Sequence, residues 1–267
     1  MVKLGRFFEK FYMGIILAVM YLPILVLVVL SFNNSKSSVK WGGFTLKWYV
    51  SMFHNSAIVS AIETTIVLAI GSALIAVIIG TVAALGINAM RKKGTAIFLG
   101  ATNIPLLNAD IVTGISMMLL FVRFMNLGFS SVLIAHITFN IPYVILSVLP
   151  KLKQVNKNTY EAALDLGASP IYAFFKIIWP DILPGVLTGF LMAMTMSLDD
   201  FTITYFTKGA GVNTLSTMIY TKLKRGINPE LYAVSTLMFV TVILLLIIVN
   251  LRSGRKEQPA KIIKKAR

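Results

Sequence analysis

Six stretches of the chain are apolar over about the 20 residues that a helix needs to cross a bilayer core. Phe11–Leu30, Thr65–Ala84, Ser131–Leu149 and Leu231–Leu251 do this with few or no charges. Two others are interrupted: Leu99–Phe124 contains Pro105, Asn108 and Asp110, and Gly185–Tyr205 contains the pair Asp199–Asp200. The pattern predicts an all-α membrane protein with six transmembrane helices. An even number of spans returns both termini to the same side.

Composition agrees with that reading: 57% of the 267 residues are hydrophobic and 13% are charged, which is the membrane class. The net charge of +15 would suggest nucleic acid for a soluble protein. Here the cations cluster beside apolar spans, so they report topology and lipid contact, and no nucleic-acid partner is expected. With the N-terminus inside, 17 of the 25 Lys and Arg residues fall on the cytoplasmic side and 8 outside. The positive-inside rule therefore places both termini in the cytoplasm. Lys3, Arg6 and Lys10 precede the first run, which is long for a signal peptide and has no A-x-A-like site after it; an uncleaved first span is expected. The chain has no Cys and two His, so disulfides, thiolate chemistry and a conventional zinc centre are not expected.

Between the fourth and fifth apolar runs lies a polar segment, Asn158–Pro184. Asn158 followed by Glu161 has the spacing of a capping box, Tyr160–Leu166 is rich in helix formers, and Gly167 is a helix-ending residue. Ser169 and Pro170 suit the N-cap and first position of a second helix, which is expected to stop near Pro180, with Pro184 ending the segment. Two short helices around a glycine turn make a docking element.

Glu161-Ala162-Ala163, three residues, Gly167, nine residues, then Ile177-Ile178-Trp179-Pro180 resembles the EAA loop of ABC-importer permeases. Trp179 stands where that motif usually has Leu. Phe44-Thr45-Leu46-Lys47-Trp48-Tyr49, His136-Ile137-Thr138-Phe139 and Ser197-Leu198-Asp199-Asp200-Phe201 are similar to the second permease subunit of spermidine/putrescine importers. The resemblance implies the MetI-like fold of binding-protein-dependent ABC permeases. It implies a transmembrane domain over 1–252, with a core at about 57–251 and the coupling loop at 152–184, then a basic cytoplasmic tail at 253–267. It also implies a bacterial inner-membrane, multi-pass location. The partners would be a second permease chain, two ATP-binding subunits and an extracytoplasmic solute-binding protein, with a polyamine as substrate. Glu161 would cap and orient the docking helix, Ala162 and Ala163 would allow close approach, and Gly167 would make the turn. Ile177 and Pro180 complete the coupling motif. The chain lacks a G-x-x-x-x-G-K-[ST] phosphate loop, so ATP and Mg would be held by the partner subunits and this chain is not itself an enzyme.

Ionisable groups inside membrane spans are costly and point to function. The resemblance assigns Asp110 and one member of the Asp199–Asp200 pair to the substrate path, because carboxylates can replace part of the hydration of a polyamine. Adjacent residues on a helix point about 100° apart, so one aspartate faces the path and the other caps, pairs or meets headgroups. Asp110 has the alternative of capping the helix that follows it. Trp48 matches a path position by the same resemblance, and Trp41 and Tyr49 nearby give it the alternative of an interfacial aromatic. His136 and Asn140 share a helix face and suit hydrogen bonds to a neighbouring span. A permease for another solute, such as ferric iron, is the nearest alternative. A proton-coupled carrier using Asp110, Asp199 and Asp200 is the rival from a different class.

Overall fold

The computed structural model describes residues 2–35, 37, 39–225 and 229–254. Its helices are α1 (Val2–Ser31), α2 (Lys47–His54), α3 (Ser56–Ala89), α4 (Lys92–Leu107), α5 (Asp110–Phe124), α6 (Phe129–Gln154), α7 (Lys157–Asp165) and α8 (Pro170–Ala173). A π-helical turn at Phe174–Ile178 leads into α9 (Trp179–Asp199), followed by α10 (Thr202–Thr207), α11 (Leu215–Arg225) and α12 (Pro229–Gly254). Among the described residues the sole β feature is an isolated bridge between Asn33 and Phe44. The expected basic tail lies outside the described residues from 255 onward.

Among the described residues, five helical runs are long and apolar enough to cross a membrane: Phe11–Ser31, Ser56–Ala89, Phe129–Gln154, Pro170–Asp199 and Pro229–Ile247. Counting α4 and α5 as one broken span makes six, and those two helices meet at 102°. The break falls at Asn108 and Ala109, both extended, with ψ of 148° and 134°. Asp110 is the first helical residue of α5 and Ala109 is its N-cap, without a side-chain bond. The alternative in which Asp110 caps this helix is therefore set aside.

Two more boundaries differ from expectation. The helix opened by Ser169 and Pro170 does not stop near Pro180; it runs on to Asp199. Proline normally collides with the carbonyl one turn back, but here the ladder widens just before it, with the Trp179 N–H bonded to the Phe174 carbonyl five residues earlier. Pro184 is likewise inside α9, and its carbonyl accepts from the Thr188 hydroxyl at 2.8 Å. The apolar run Gly185–Tyr205 is not one span either, because the helix ends at Asp199 and the chain turns at Asp200 before α10.

The chain divides into two compact units, one of Met1–Ser60 with Met218–Ile243, the other of Ala61–Thr217 with the residues from Leu244 onward. In the first, the buried Asn33 side chain holds the loop after α1. Its amide donates to the Lys40 carbonyl at 2.8 Å, and its oxygen accepts from the N–H groups of Gly42 (2.7 Å) and Ser35 (3.1 Å). Phe32 stacks on Phe44 at 5.3 Å, and Ser51 donates to the Glu230 carboxylate at 2.5 Å, tying α2 to α12.

The second unit is built on close contact of α3, α6 and α9. Its core includes Ala73, Ala76, Ala84, Val144, Val148 and Ile182, with Ala193 beside them. Four alanines stand among its buried residues, and such small side chains suit transmembrane helices, which gain mostly from close packing rather than from escape from water. A Cβ on Gly189 would lie 3.2 Å from the Cα of Val144, and one on Gly185 would lie 2.8 Å from the Ser147 carbonyl oxygen.

Candidate functional site

The polar segment folds as an elbow. Asn156, not Asn158, caps α7: its side-chain oxygen accepts from the Asn158 N–H at 3.0 Å. That places Thr159 three residues after the cap, so Glu161 is too far along to complete a capping box. The expected capping role of Glu161 is thereby corrected. Glu161 instead lines a cavity of about 190 Å³ with Leu85 and Asn88 of α3, Leu152 of α6 and Tyr160.

The end of α7 follows expectation. Gly167 has φ +85°, its N–H bonds to the Leu164 carbonyl at 2.9 Å, and the Ala168 N–H bonds to Ala163 at 3.0 Å. These two bonds together are a Schellman ending. Ser169 then accepts from the Tyr172 N–H at 3.3 Å, with Pro170 first in α8. Ala162 and Pro180 are exposed, while Ala163 and Ile177 are half-buried. Trp179 packs against the core of its own unit, 6.4 Å from the ring of Phe174 and 6.2 Å from that of Phe175. The apolar residues that stand out from the elbow are Leu166, 90% exposed, and Ile171, Tyr172 and Phe175. Sequence reasoning passed over these; the signal was large apolar side chains on both sides of a glycine in a polar segment.

At the other end of α9 the two adjacent aspartates part. Asp199 is exposed. Asp200 is turned inward, its side chain 9% exposed. Its carboxylate accepts from the N–H groups of Ile203 (3.2 Å) and Thr204 (2.7 Å) and from the Thr204 hydroxyl (2.7 Å), which anchors the start of α10. His136 Nε2 lies 3.5 Å from the same carboxylate and 2.8 Å from the Thr204 hydroxyl, and its Nδ1 lies 2.5 Å from the Ser197 hydroxyl. Ser72 of α3 continues the line, 3.1 Å from Ser197 and 3.5 Å from the Asn140 amide. His136, Asn140, Ser72, Ser197 and Thr204 are all buried. Polar side chains joined between helices are how a membrane interior accommodates them. Phe201 and Tyr205 face each other at 5.4 Å next to this turn.

Asp110 is exposed at the N-terminus of α5. Helix α5 packs along α10; a Cβ on Gly114 of α5 would stand 3.1 Å from the Phe206 ring and 3.4 Å from the backbone of Thr202 and Ile203. The element that begins with Asp110 is thus seated against the element that Asp200 starts. In the other unit, Trp48 is buried, and its indole N–H donates to the Asn33 carbonyl at 2.7 Å. The Lys47 ammonium lies 4.5 Å from the centre of the Trp48 ring. Among the described residues no three His, Asp or Glu side chains gather as a metal site.

Residues 76–254 match the family model described as "Binding-protein-dependent transport system inner membrane component". The chain is 35% identical over 245 residues to the spermidine/putrescine transport system permease protein PotC of Escherichia coli (strain K12), covering 91% of this chain and 93% of that one. It is 36% identical over 226 residues to the putrescine transport system permease protein PotI of the same organism, covering 82% and 80%. The fold is similar to a chain of a bacterial ABC transporter involved in the import of the acidic polysaccharide alginate, with a TM-score of 0.68 at 17% identity over 96% of this chain and 98% of that one.

Proposed function

Because the chain belongs to the family of inner-membrane components of binding-protein-dependent transport systems, we propose that it forms part of the passage for a polyamine in an ABC importer. The observation that carries this is the identity to two polyamine permeases across most of the chain, joined to a free carboxylate, Asp199, at the end of α9. The transmembrane domain extends over 1–252, with both termini in the cytoplasm and the elbow on that face. A second permease chain completes the passage, and an external solute-binding protein delivers the substrate. Two ATP-binding subunits dock on the elbows and hold ATP and Mg; this chain contributes no hydrolytic site.

Each part of the chain then has a physical task. Leu166, Ile171 and Tyr172 present apolar surface to the ATP-binding subunit, with Ala162 allowing close approach beside Glu161 and with Gly167 setting the angle of the elbow. Ile177, Pro180 and the π-helical turn connect that surface to α9 without a loop between them. Asp199 and Asp110 offer carboxylates to the ammonium groups of the substrate. Such contacts hold a cation loosely enough for it to leave. Trp48 serves the packing of its own unit, since its ring and N–H are both engaged.

The test is ATP hydrolysis by the complete importer in lipid, with the binding protein and spermidine, putrescine, ferric iron or sulfate supplied in turn. Stimulation by a polyamine alone is expected. Stimulation by ferric iron or sulfate alone would discard the polyamine and keep the importer, and failure of any ATP-binding subunit to associate would discard both.

A further inference from the structure

We propose that His136 is a positioning residue for passage through this permease: it locks the turn between α9 and α10 so that Asp200 is held inside and Asp199 alone is presented. This rests on the reading of Asp199 as a passage residue.

The donor directions around His136 follow from the partners. The Thr204 hydroxyl has one hydrogen, and the Asp200 carboxylate at 2.7 Å can only accept it. Thr204 is then an acceptor towards His136 Nε2 at 2.8 Å, so that nitrogen carries a proton. In the neutral imidazole Nδ1 accepts, and the Ser197 hydroxyl at 2.5 Å supplies the hydrogen. Ser197 in turn accepts from Ser72 at 3.1 Å. One imidazole therefore joins α6 to the last turn of α9 on one side and to α10 on the other, with α3 tied in behind it. Each bond is made between buried groups, where no water competes for the partner.

The consequence falls on the aspartate pair. Asp200 has its oxygens committed to Ile203, Thr204 and His136. The Asp199 side chain is exposed and makes no hydrogen bond or ion pair among the described residues. Loss of the imidazole leaves Ser197 and Thr204 without their shared partner and frees the turn to rotate. Which of two neighbouring carboxylates meets the solute then ceases to be defined. His136 touches no substrate in this scheme; it acts through Ser197, Thr204 and Asp200.

The chain contains no cysteine, so an introduced thiol is the sole one it carries. In the complete importer in lipid, an Asp199→Cys variant is labelled with a cationic methanethiosulfonate, with and without His136→Leu. A Val39→Cys variant in the loop after α1, where the side chain is 90% exposed, is the control. The labelling rate at position 199 is expected to change by about fivefold, the scale of one lost interhelical hydrogen bond, and the rate at position 39 to stay the same. In the chain with its native aspartates, His136→Leu should raise the KM for polyamine uptake more than it lowers the maximal rate, and His136→Gln, which keeps a donor and an acceptor, should recover part of the loss. If His136→Leu does not assemble, Thr204→Val removes the hydroxyl at constant shape and takes its place. Unchanged labelling and unchanged KM in an assembled variant would overturn the proposal. Labelling that changes only at position 199, in an importer that moves a different solute, upholds the positioning role and discards the polyamine.

Discussion

A Cβ placed on Gly80 of α3 would stand 2.7 Å from both Cβ and Cγ1 of Val144 on α6. The same valine is also met by Gly189 of α9, so one β-branched residue is the point at which three helices close. Gly80→Leu is expected to prevent stable assembly of the subunit. Gly80→Ala should be milder, costing about 1–3 kcal/mol as an overpacking change, and Val144→Ala in the same chain should recover part of it. Thermal unfolding in detergent checks both; a melting temperature untouched by Gly80→Leu would sink this packing.

The elbow turns on Gly167, whose φ of +85° has open space around the missing side chain. Substitution there meets a backbone penalty and no collision. Gly167→Asn should be tolerated better than Gly167→Val, because Asn visits the left-handed region more readily, and the Val variant should lose about 1–3 kcal/mol of local stability. Coupled transport, measured as solute moved per ATP hydrolysed, should fall in the same order.

The cap of α7 separates two asparagines that look alike in the sequence. Asn156→Ala should destabilise α7 by about 1 kcal/mol, read as faster amide hydrogen exchange over residues 157–165. Asn158→Ala should leave exchange there nearly unchanged. The reverse result would restore Asn158 as the cap.

The aspartates should behave differently when each is neutralised. Asp199→Asn is expected to lower polyamine uptake while leaving the amount of assembled importer as it was. Asp200→Asn should lower the melting temperature, because an amide at that position puts donors where Ile203 and Thr204 already donate; breaking such a buried, charged set costs about 3–5 kcal/mol. Equal effects of the two changes on both measurements would contradict the inward and outward assignment.

Much of the architecture follows from local chemistry. The apolar runs became helices, and Gly167, Ser169 and Pro170 each hold the backbone position their side chains favour, because those preferences act within three or four residues. The corrections arise where distant parts decide. Whether Asn156 or Asn158 caps α7 depends on α6 ending at Gln154, which neither asparagine controls. Pro180 should have ended a helix, but a π-helical turn widens the ladder ahead of it, and the Trp179 and Phe174 rings pack that turn against the core. The end of the fifth span is bonded to His136, 61 residues before Ser197 and 68 before Thr204. No window of sequence holds both halves of that contact. Helix geometry divides Asp199 from Asp200 in advance, but only the structure shows which of the two turns inward.

The unbroken run from Pro170 to Asp199 is 30 residues long. At 1.5 Å per residue it measures about 45 Å, more than the roughly 30 Å of hydrocarbon in a bilayer. A rod of that length exceeds the apolar layer, with exposed apolar side chains at one end and a carboxylate at the other. Loops absorb displacement; a rod conveys it. A tilt of this helix by a few degrees at the elbow moves its far end by several ångströms, and the π-helical turn is the joint at which stiffness can be tuned. Under the proposed function, leverage is what connects the two ends.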